Sequence, residues 1–401
     1  MPSDVLRQFD EVLRILLEVR DIIGGRVHDP VVPAWCASRG WTDLVLSLSR
    51  EQVTDCETTG PAAWFAACRD APESLRSVAR RVQQAVAMPD LGSRALHRQL
   101  IMTSVRERKR IQIRALVESL RPLAMRSVRV VDVGCGAGHL TRIVAEQWGR
   151  DAVGLERNHD LVAQAAELAR LAQVEFHVCD VFEDDIDLHA GDLVVGLHAC
   201  GEVADVALAA AVRARASAAF VSCCQQKVRG ASRPAISRHG RDAGLVLSRE
   251  VLGLSNLSSR AMGVEVPLQD TMAARRVRLA LRVLLRARGV ALNPGDEMRG
   301  INRRRARKGF EAIAADAMRL RGLPSPTAAE IRDSEATARE QFDVIRRLSL
   351  PRNMLARLVE CAIVLDRAAL LDEHGYDVVV ATVFDQEVSP RNLAVVGQPR
   401  T

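Results

Sequence analysis

Aromatic residues are scarce in this chain: Phe, Trp and Tyr make up 3% of 401 positions, with a single tyrosine. With Ala, Leu and Val abundant instead, the composition favours helices and parallel strands over a β-sandwich. Lysine is nearly absent. Lys109, Lys227 and Lys308 are the only three, so arginine carries almost all of the positive charge. None of the nine cysteines forms a C-x-x-C pair, which excludes the spacing of zinc fingers and dithiol redox motifs. No uninterrupted apolar run of about 18 residues occurs, which excludes a membrane-spanning helix. The segment "MPSDVLRQFDEVLRILLEVRDIIGG" carries charges throughout and is expected to form an amphipathic helix rather than a secretion signal. Together these absences predict a soluble protein with free thiols in a reducing cytoplasm.

The chain does have the material for a sizeable core: 48% of its residues are hydrophobic and 26% charged, over a length that admits two domains or one with a large insertion. Residues 1–104 read as helices joined by short loops. From residue 128 the pattern changes. Short apolar runs at 128–133, 152–156, 174–179, 192–198 and 217–223 alternate with helical stretches such as "HLTRIVAEQWG". Such alternation predicts a doubly wound α/β domain with a parallel sheet covered on both faces. After Lys227 an Arg- and Ser-rich stretch leads into further helices, and two last strands, "YDVVVATVF" and "NLAVVG", flank the loop "DQEVSPR".

The first strand ends in "VVDVGCGAGHLT", which places Gly134, Gly136 and Gly138 just before a helix. Glycines there permit a tight turn and let a ligand approach the backbone at the helix amino terminus. The dinucleotide pattern G-x-G-x-x-G is not met, because the third glycine comes one residue early. Asp132 sharpens the choice: a carboxylate at this point repels a pyrophosphate and attracts the ammonium and sulfonium charges of S-adenosylmethionine (SAM). Glu156, about 20 residues on, ends the second strand where an acid can accept ribose hydroxyls. Asp180, with Val181 beside it, ends the third strand where the adenine edge is expected. The expected cofactor is therefore SAM.

The run "VVDVGCGAGHLT…VGLE…HVCDVF" resembles class I SAM-dependent methyltransferases. The segments "GLHACGEVADVALAAAV", "VSCCQQKV" and "LDRAALLDEHGYDVVVATVFDQEVSPRNLAVVG" resemble the methyltransferase-like 25 group and its bacterial relatives. The His-x-Cys-Gly and Cys-Cys elements are also similar to eukaryotic acceptor-stem tRNA 2′-O-methyltransferases. This resemblance covers roughly residues 105–230 and 355–398. It implies a Rossmann-like seven-stranded methyltransferase sheet, with an N-terminal helical domain (1–104) and a SAM-dependent methyltransferase domain (105–401) that holds a helical, basic insertion at about 230–350.

Neighbouring fourth and fifth strands would bring His198 and Cys200 close to Cys223 and Cys224. No Pro-Pro-aromatic loop follows the fourth strand, which argues against the amino-methylating mechanism associated with that loop. Three roles are open for this cluster. His198 can act as a general base, since neutral imidazole accepts protons near pH 7, or it can shape the cofactor pocket. A zinc site is the third, but adjacent cysteines make unpromising ligands for one ion, and the expectation is no metal. If the last strands form a hairpin beside the cofactor, Asp385, Ser389, Arg391 and Asn392 become candidate substrate contacts. Glu360, Asp366 and Arg367 read as structural ion pairs.

Positive charge is concentrated in one segment. Twelve basic residues between Thr271 and Lys308 face only Asp296 and Glu297, in a chain whose net charge is +6, so the remainder is net acidic. Arg275, Arg278, Arg282 and Arg286 share one helical stripe, and Arg304 lies in a second cluster, "NRRRARKGF". Such clustering suits a phosphate backbone. With few aromatics for base stacking, structured RNA is the expected partner; no DNA-binding motif is present, and the oligomeric state is not encoded legibly. The expected function is methylation of rRNA or tRNA. The alternatives are a protein methyltransferase and a catalytically silent SAM-binding factor associated with RNA.

Overall fold

The computed structural model describes residues 3–91, 107–169, 173–257, 268–293, 295–302, 305 and 309–400. A seven-stranded sheet organises it, formed by β1 (Arg129–Val133), β2 (Asp151–Glu156), β3 (Val174–Val178), β4 (Leu193–Leu197), β5 (Ser217–Val221), β6 (Tyr376–Thr382) and β7 (Leu393–Pro399). The strand order is β3-β2-β1-β4-β5-β7-β6. Pairs among the first five strands are parallel. β7 is antiparallel to both β5 and β6, so β6 runs with the core strands. Each of the five expected core strands forms, with ends within two residues of the sequence reading.

Chain chemistry explains the placement. The run Leu193–Leu197 is apolar without alternation and is buried through four of its five positions, as a central parallel strand must be. β3 lies at the edge, and there Glu175, His177 and Val178 are exposed. Among the helices of this body, α1 (Asp4–Glu18), α2 (Glu107–Ala124), α3 (His139–Trp148), α4 (His159–Leu168), α5 (Glu202–Ala214) and α6 (Ala356–Glu373) matter most. Ser3 caps α1, its hydroxyl accepting from the Leu6 amide at 3.3 Å. Val5, Phe9, Val12, Leu13 and Leu16 bury the inner stripe of that helix. Apolar side chains of α2 and α3, among them Ile113, Leu116, Val144 and Trp148, pack with Val130, Leu193 and Val195 of the sheet into one core.

Contacts divide the chain differently from the boundary at residue 104. One compact unit comprises residues 1–19, 82–257 and 356–401; the other comprises 20–81 and 258–355. The reason is packing. α1 belongs with the sheet because its apolar stripe closes on α6. In the second unit, helices Leu268–Ala287 and Ala328–Asn353 share a core with helix Phe310–Arg319 through Leu281, Leu284, Ile313 and Ala338. Arg346 reaches Glu57 at 2.6 Å within that unit, so residues the sequence assigned to separate regions fold together. Among the described residues no helix is long and apolar enough to cross a membrane.

Candidate active site

The glycine turn leaves β1 and enters α3. Gly134, Gly136 and Gly138 have φ values of +73°, +58° and +69°, a region that L side chains seldom occupy. The turn is tied to β2 by Gly134 N and Cys135 N, which donate to Leu155 O at 2.8 and 3.1 Å. A Cβ at Gly134 or Gly136 would meet nothing within 4 Å, whereas one at Gly138 would lie 2.4 Å from the Phe176 ring. The first two glycines thus line an open cradle, and the third makes room for a strand residue.

Acids follow or end the strands that lead to this edge. Asp132 is 3% exposed, and its carboxylate accepts from the Thr141 hydroxyl at 2.7 Å. Burial pushes its pKa up to about 6, against the opposing pull of that hydroxyl and of Lys109. Glu156 at the end of β2 accepts from Gly136 N at 3.2 Å and from Asn158 N at 3.0 Å, which fixes its carboxylate over the turn. Asp180 follows β3 and accepts from Phe182 N at 3.1 Å, with Val181 half-buried between them. Sequence reasoning therefore placed these acids at successive strand ends, and the fold brings those ends to one edge.

Beyond β4 the chain turns sharply at His198, whose φ of +68° is in the left-handed region. Its backbone amide donates to Val221 O at 2.8 Å, which holds the turn against β5. The ring is anchored from a distant element: Nε2 lies 2.8 Å from Oε1 of Gln112, a buried residue of α2. An amide oxygen accepts, so Nε2 carries the proton and Nδ1 keeps its lone pair. Nδ1 is buried with no hydrogen-bond partner. Burial, followed by the charges of Arg391, Lys109 and Arg108, lowers the pKa to about 4, so the ring is neutral at pH 7. Gln112 was not anticipated. It sits on a helix face 86 residues away, where periodicity marks a core position and not a partner.

A buried network holds the loops after β4 and β5. Arg233 donates to both carboxylate oxygens of Asp205, at 2.8 and 3.0 Å, and to Asp366 at 2.8 Å. Arg367 donates to Asp205 at 2.7 Å, to Ser222 Oγ at 2.8 Å and to Gly201 O at 2.8 Å. Burial alone would raise the Asp205 pKa, but the guanidiniums of Arg367 and Arg233 outweigh it and hold it at about 2. Asp366 and Arg367 are structural ion pairs, as the sequence suggested, and they position the β4 and β5 loops.

Residues 108–231 match the protein-family model described as "Methyltransferase domain". The match begins in α2, includes the glycine turn, the three acids and His198, and ends beyond β5. This segment is a methyltransferase domain. SAM is the cofactor of such a domain, and the open cradle at Gly134 and Gly136, flanked by the buried Asp132 and by Glu156, fits it.

Two curated relatives are glutathione S-transferase C-terminal domain-containing protein homologs. That of Drosophila pseudoobscura pseudoobscura is 31% identical over 121 residues, covering 29% of this chain and 20% of its own. That of Drosophila melanogaster is 30% identical over 120 residues, with the same coverage. The chain thus spans about a fifth of the length of these relatives. Among solved structures, a TehB-like SAM-dependent methyltransferase from Corynebacterium glutamicum is 22% identical, covering 26% of this chain and 60% of its own, with a TM-score of 0.23. Magnesium protoporphyrin IX methyltransferase from Synechocystis is 18% identical, covering 31% and 61%, also at 0.23.

The loop of the final hairpin lies at the carboxyl edge of the sheet. Arg391 Nη1 lies 3.5 Å from Cys224 Sγ, beside the β5 loop. Asn392 does not contact a substrate surface: it is 1% exposed, its Oδ1 accepts from Arg357 at 2.8 Å, and its Nδ2 donates to Phe384 O at 2.7 Å. It pins the loop from within. Ser389 is buried and Asp385 exposed. Arginines of the basic stripe make internal contacts. Arg282 donates to His28 O at 3.0 Å and lies 3.5 Å from Glu297, which Arg278 also engages at 2.5 Å. Arg286 pairs with Asp29, and Arg288 with Glu330. Arg278 and Arg282 share Glu297 and Arg286 pairs with Asp29, so these three arginines of the stripe brace their own unit. Arg304 lies outside the described residues.

Proposed function

We propose that the protein transfers the SAM methyl group to RNA, with rRNA or tRNA as the target and a 2′-hydroxyl or a base atom as acceptor. The carrying observation is His198: a neutral imidazole with an unpartnered Nδ1, anchored through Nε2 and surrounded by the cations Lys109, Arg108 and Arg391. SAM supplies an electrophilic methyl on a sulfonium sulfur. His198 Nδ1 offers a lone pair that accepts a hydrogen bond from the incoming nucleophile and orients it, its lowered pKa leaving it a weak base, and Gln112 holds the ring in the tautomer that makes this possible. Lys109, exposed on the first turn of α2, offers charge to a flanking phosphate. The faint resemblance to tRNA 2′-O-methyltransferases supports the same acceptor class.

The test uses methyl-labelled SAM, the full chain and extract from cells lacking it. Label that nuclease releases and protease does not is expected. Label released by protease, or no transfer to any fraction, overturns the reading. His198→Ala should keep SAM affinity within about threefold while turnover falls on the order of 100-fold; a parallel loss of SAM binding would make His198 a pocket residue.

A further inference from the structure

Three thiols converge where the loops after β4 and β5 meet. Cys200 Sγ lies 2.7 Å from Cys223 Sγ, Cys223 Sγ lies 3.7 Å from Cys224 Sγ, and all three sulfurs fall within 4.8 Å of one another. In an extended strand, adjacent side chains point to opposite faces, and that is why the Cys223–Cys224 pair argued against a shared ion in the sequence. The strand has ended at Val221, so the alternation no longer holds at Cys223 and Cys224, and their sulfurs lie 3.7 Å apart. Their separation matches the edge of a tetrahedral thiolate site, roughly 3.8 Å for metal–sulfur bonds of about 2.3 Å. Cys200 must open by roughly 1 Å to reach the same edge, within reach of a rotation about its Cα–Cβ bond.

The frame around the thiols is rigid. Arg367 binds Ser222 Oγ, Gln225 Oε1 and Gly201 O, and so clamps both loops that carry the cysteines. Gly201 permits the approach, since a Cβ there would lie 1.9 Å from Lys227 O. Charge is complementary as well. Three thiolates around a divalent cation leave one negative charge, and Arg391 stands 3.5 Å from Cys224 Sγ to balance it.

We propose that Cys200, Cys223 and Cys224 form a three-thiolate site for a thiophilic d10 cation, with Zn2+ as the probe ion and the fourth position open. Thiolate softness selects such ions over Mg2+ or Ca2+. Each ligating thiol releases its proton on binding, with no change of oxidation state. The site clasps the β4 loop to the β5 loop next to His198, and it does not depend on which acceptor is methylated.

The full chain, purified with reductant and stripped with chelator, is titrated anaerobically with Zn2+ in competition with a chromophoric chelator, and separately with Co2+. Expected are one ion per chain and the thiolate-to-cobalt charge-transfer absorption. Cys200→Ser and Cys224→Ser should each weaken Zn2+ binding by 100-fold or more, while Cys68→Ser, in the other unit, leaves it unchanged. Cys223 is buried and less suited to substitution. Variants are compared only where far-ultraviolet circular dichroism matches wild type. No stoichiometric ion, or unchanged affinity in both variants, overturns the proposal. So does a Cys200–Cys223 disulfide in the reductant-purified chain with no metal uptake after its reduction.

Discussion

Asp132 is the residue on which the cofactor argument turned, and its burial gives that argument a pH dependence. A carboxyl at about pKa 6 is ionised at pH 7.5 and loses its charge as pH falls through 6. Its attraction for the SAM ammonium should fade over the same interval. We expect the SAM dissociation constant, measured by calorimetry, to rise by about tenfold between pH 7.5 and 5. Asp132→Asn should bind weakly at both pH values; a wild-type affinity flat across this range would refute the role. Asp132, Glu156 and Asp180 lie in or just after the last residues of successive strands, a placement legible in the sequence because a strand end is a local property. Gln112 was illegible, because its partnership with His198 exists only once α2 lies across the sheet.

At the scale of elements, the glycine turn separates a folding glycine from a binding one. Gly138→Ala adds a Cβ into the Phe176 ring at a left-handed φ, so it should cost about 2–4 kcal/mol of stability. Gly136→Ala meets no protein atom and should cost only about 1 kcal/mol. Its Cβ nevertheless enters the cradle, and SAM affinity should fall by more than about tenfold. Thermal melts with and without SAM distinguish them: a Gly138→Ala chain as stable as wild type, or a Gly136→Ala chain with full ligand-induced stabilisation, contradicts this division. The Arg275–Arg286 stripe shows the opposite limit of the sequence. Helical spacing revealed the stripe, but not that Arg278 and Arg282 share Glu297 or that Arg286 pairs with Asp29.

For the whole molecule, the Asp205–Arg233–Asp366–Arg367 network joins the β4 and β5 loops to the helix that precedes the last two strands. It spans the longest insertion in the chain. Removing Asp366 leaves the buried Arg233 guanidinium and Ser237 amide and hydroxyl, and the half-buried Ile236 amide, short of an acceptor. Asp366→Ala should therefore destabilise by about 3–5 kcal/mol in chemical denaturation. A loss below about 1 kcal/mol would show that the network is not fully desolvated. The segmental division follows the same logic of distant partners: α1 opens the chain yet belongs with the sheet, because its apolar stripe is completed by α6.

The sequence by itself determined the strands, the glycine turn and the acids at strand ends. Each is encoded by neighbours a few residues apart, through the short apolar run of a buried parallel strand, the φ freedom of glycine and the chemistry of the cofactor. Only the tertiary structure decided which histidine nitrogen is free, that Arg282 and Asn392 are spent on internal partners, and that three cysteine sulfurs meet. Those facts depend on which distant side chain arrives to satisfy a buried charge or donor, and a satisfied arginine has the same sequence as a waiting one.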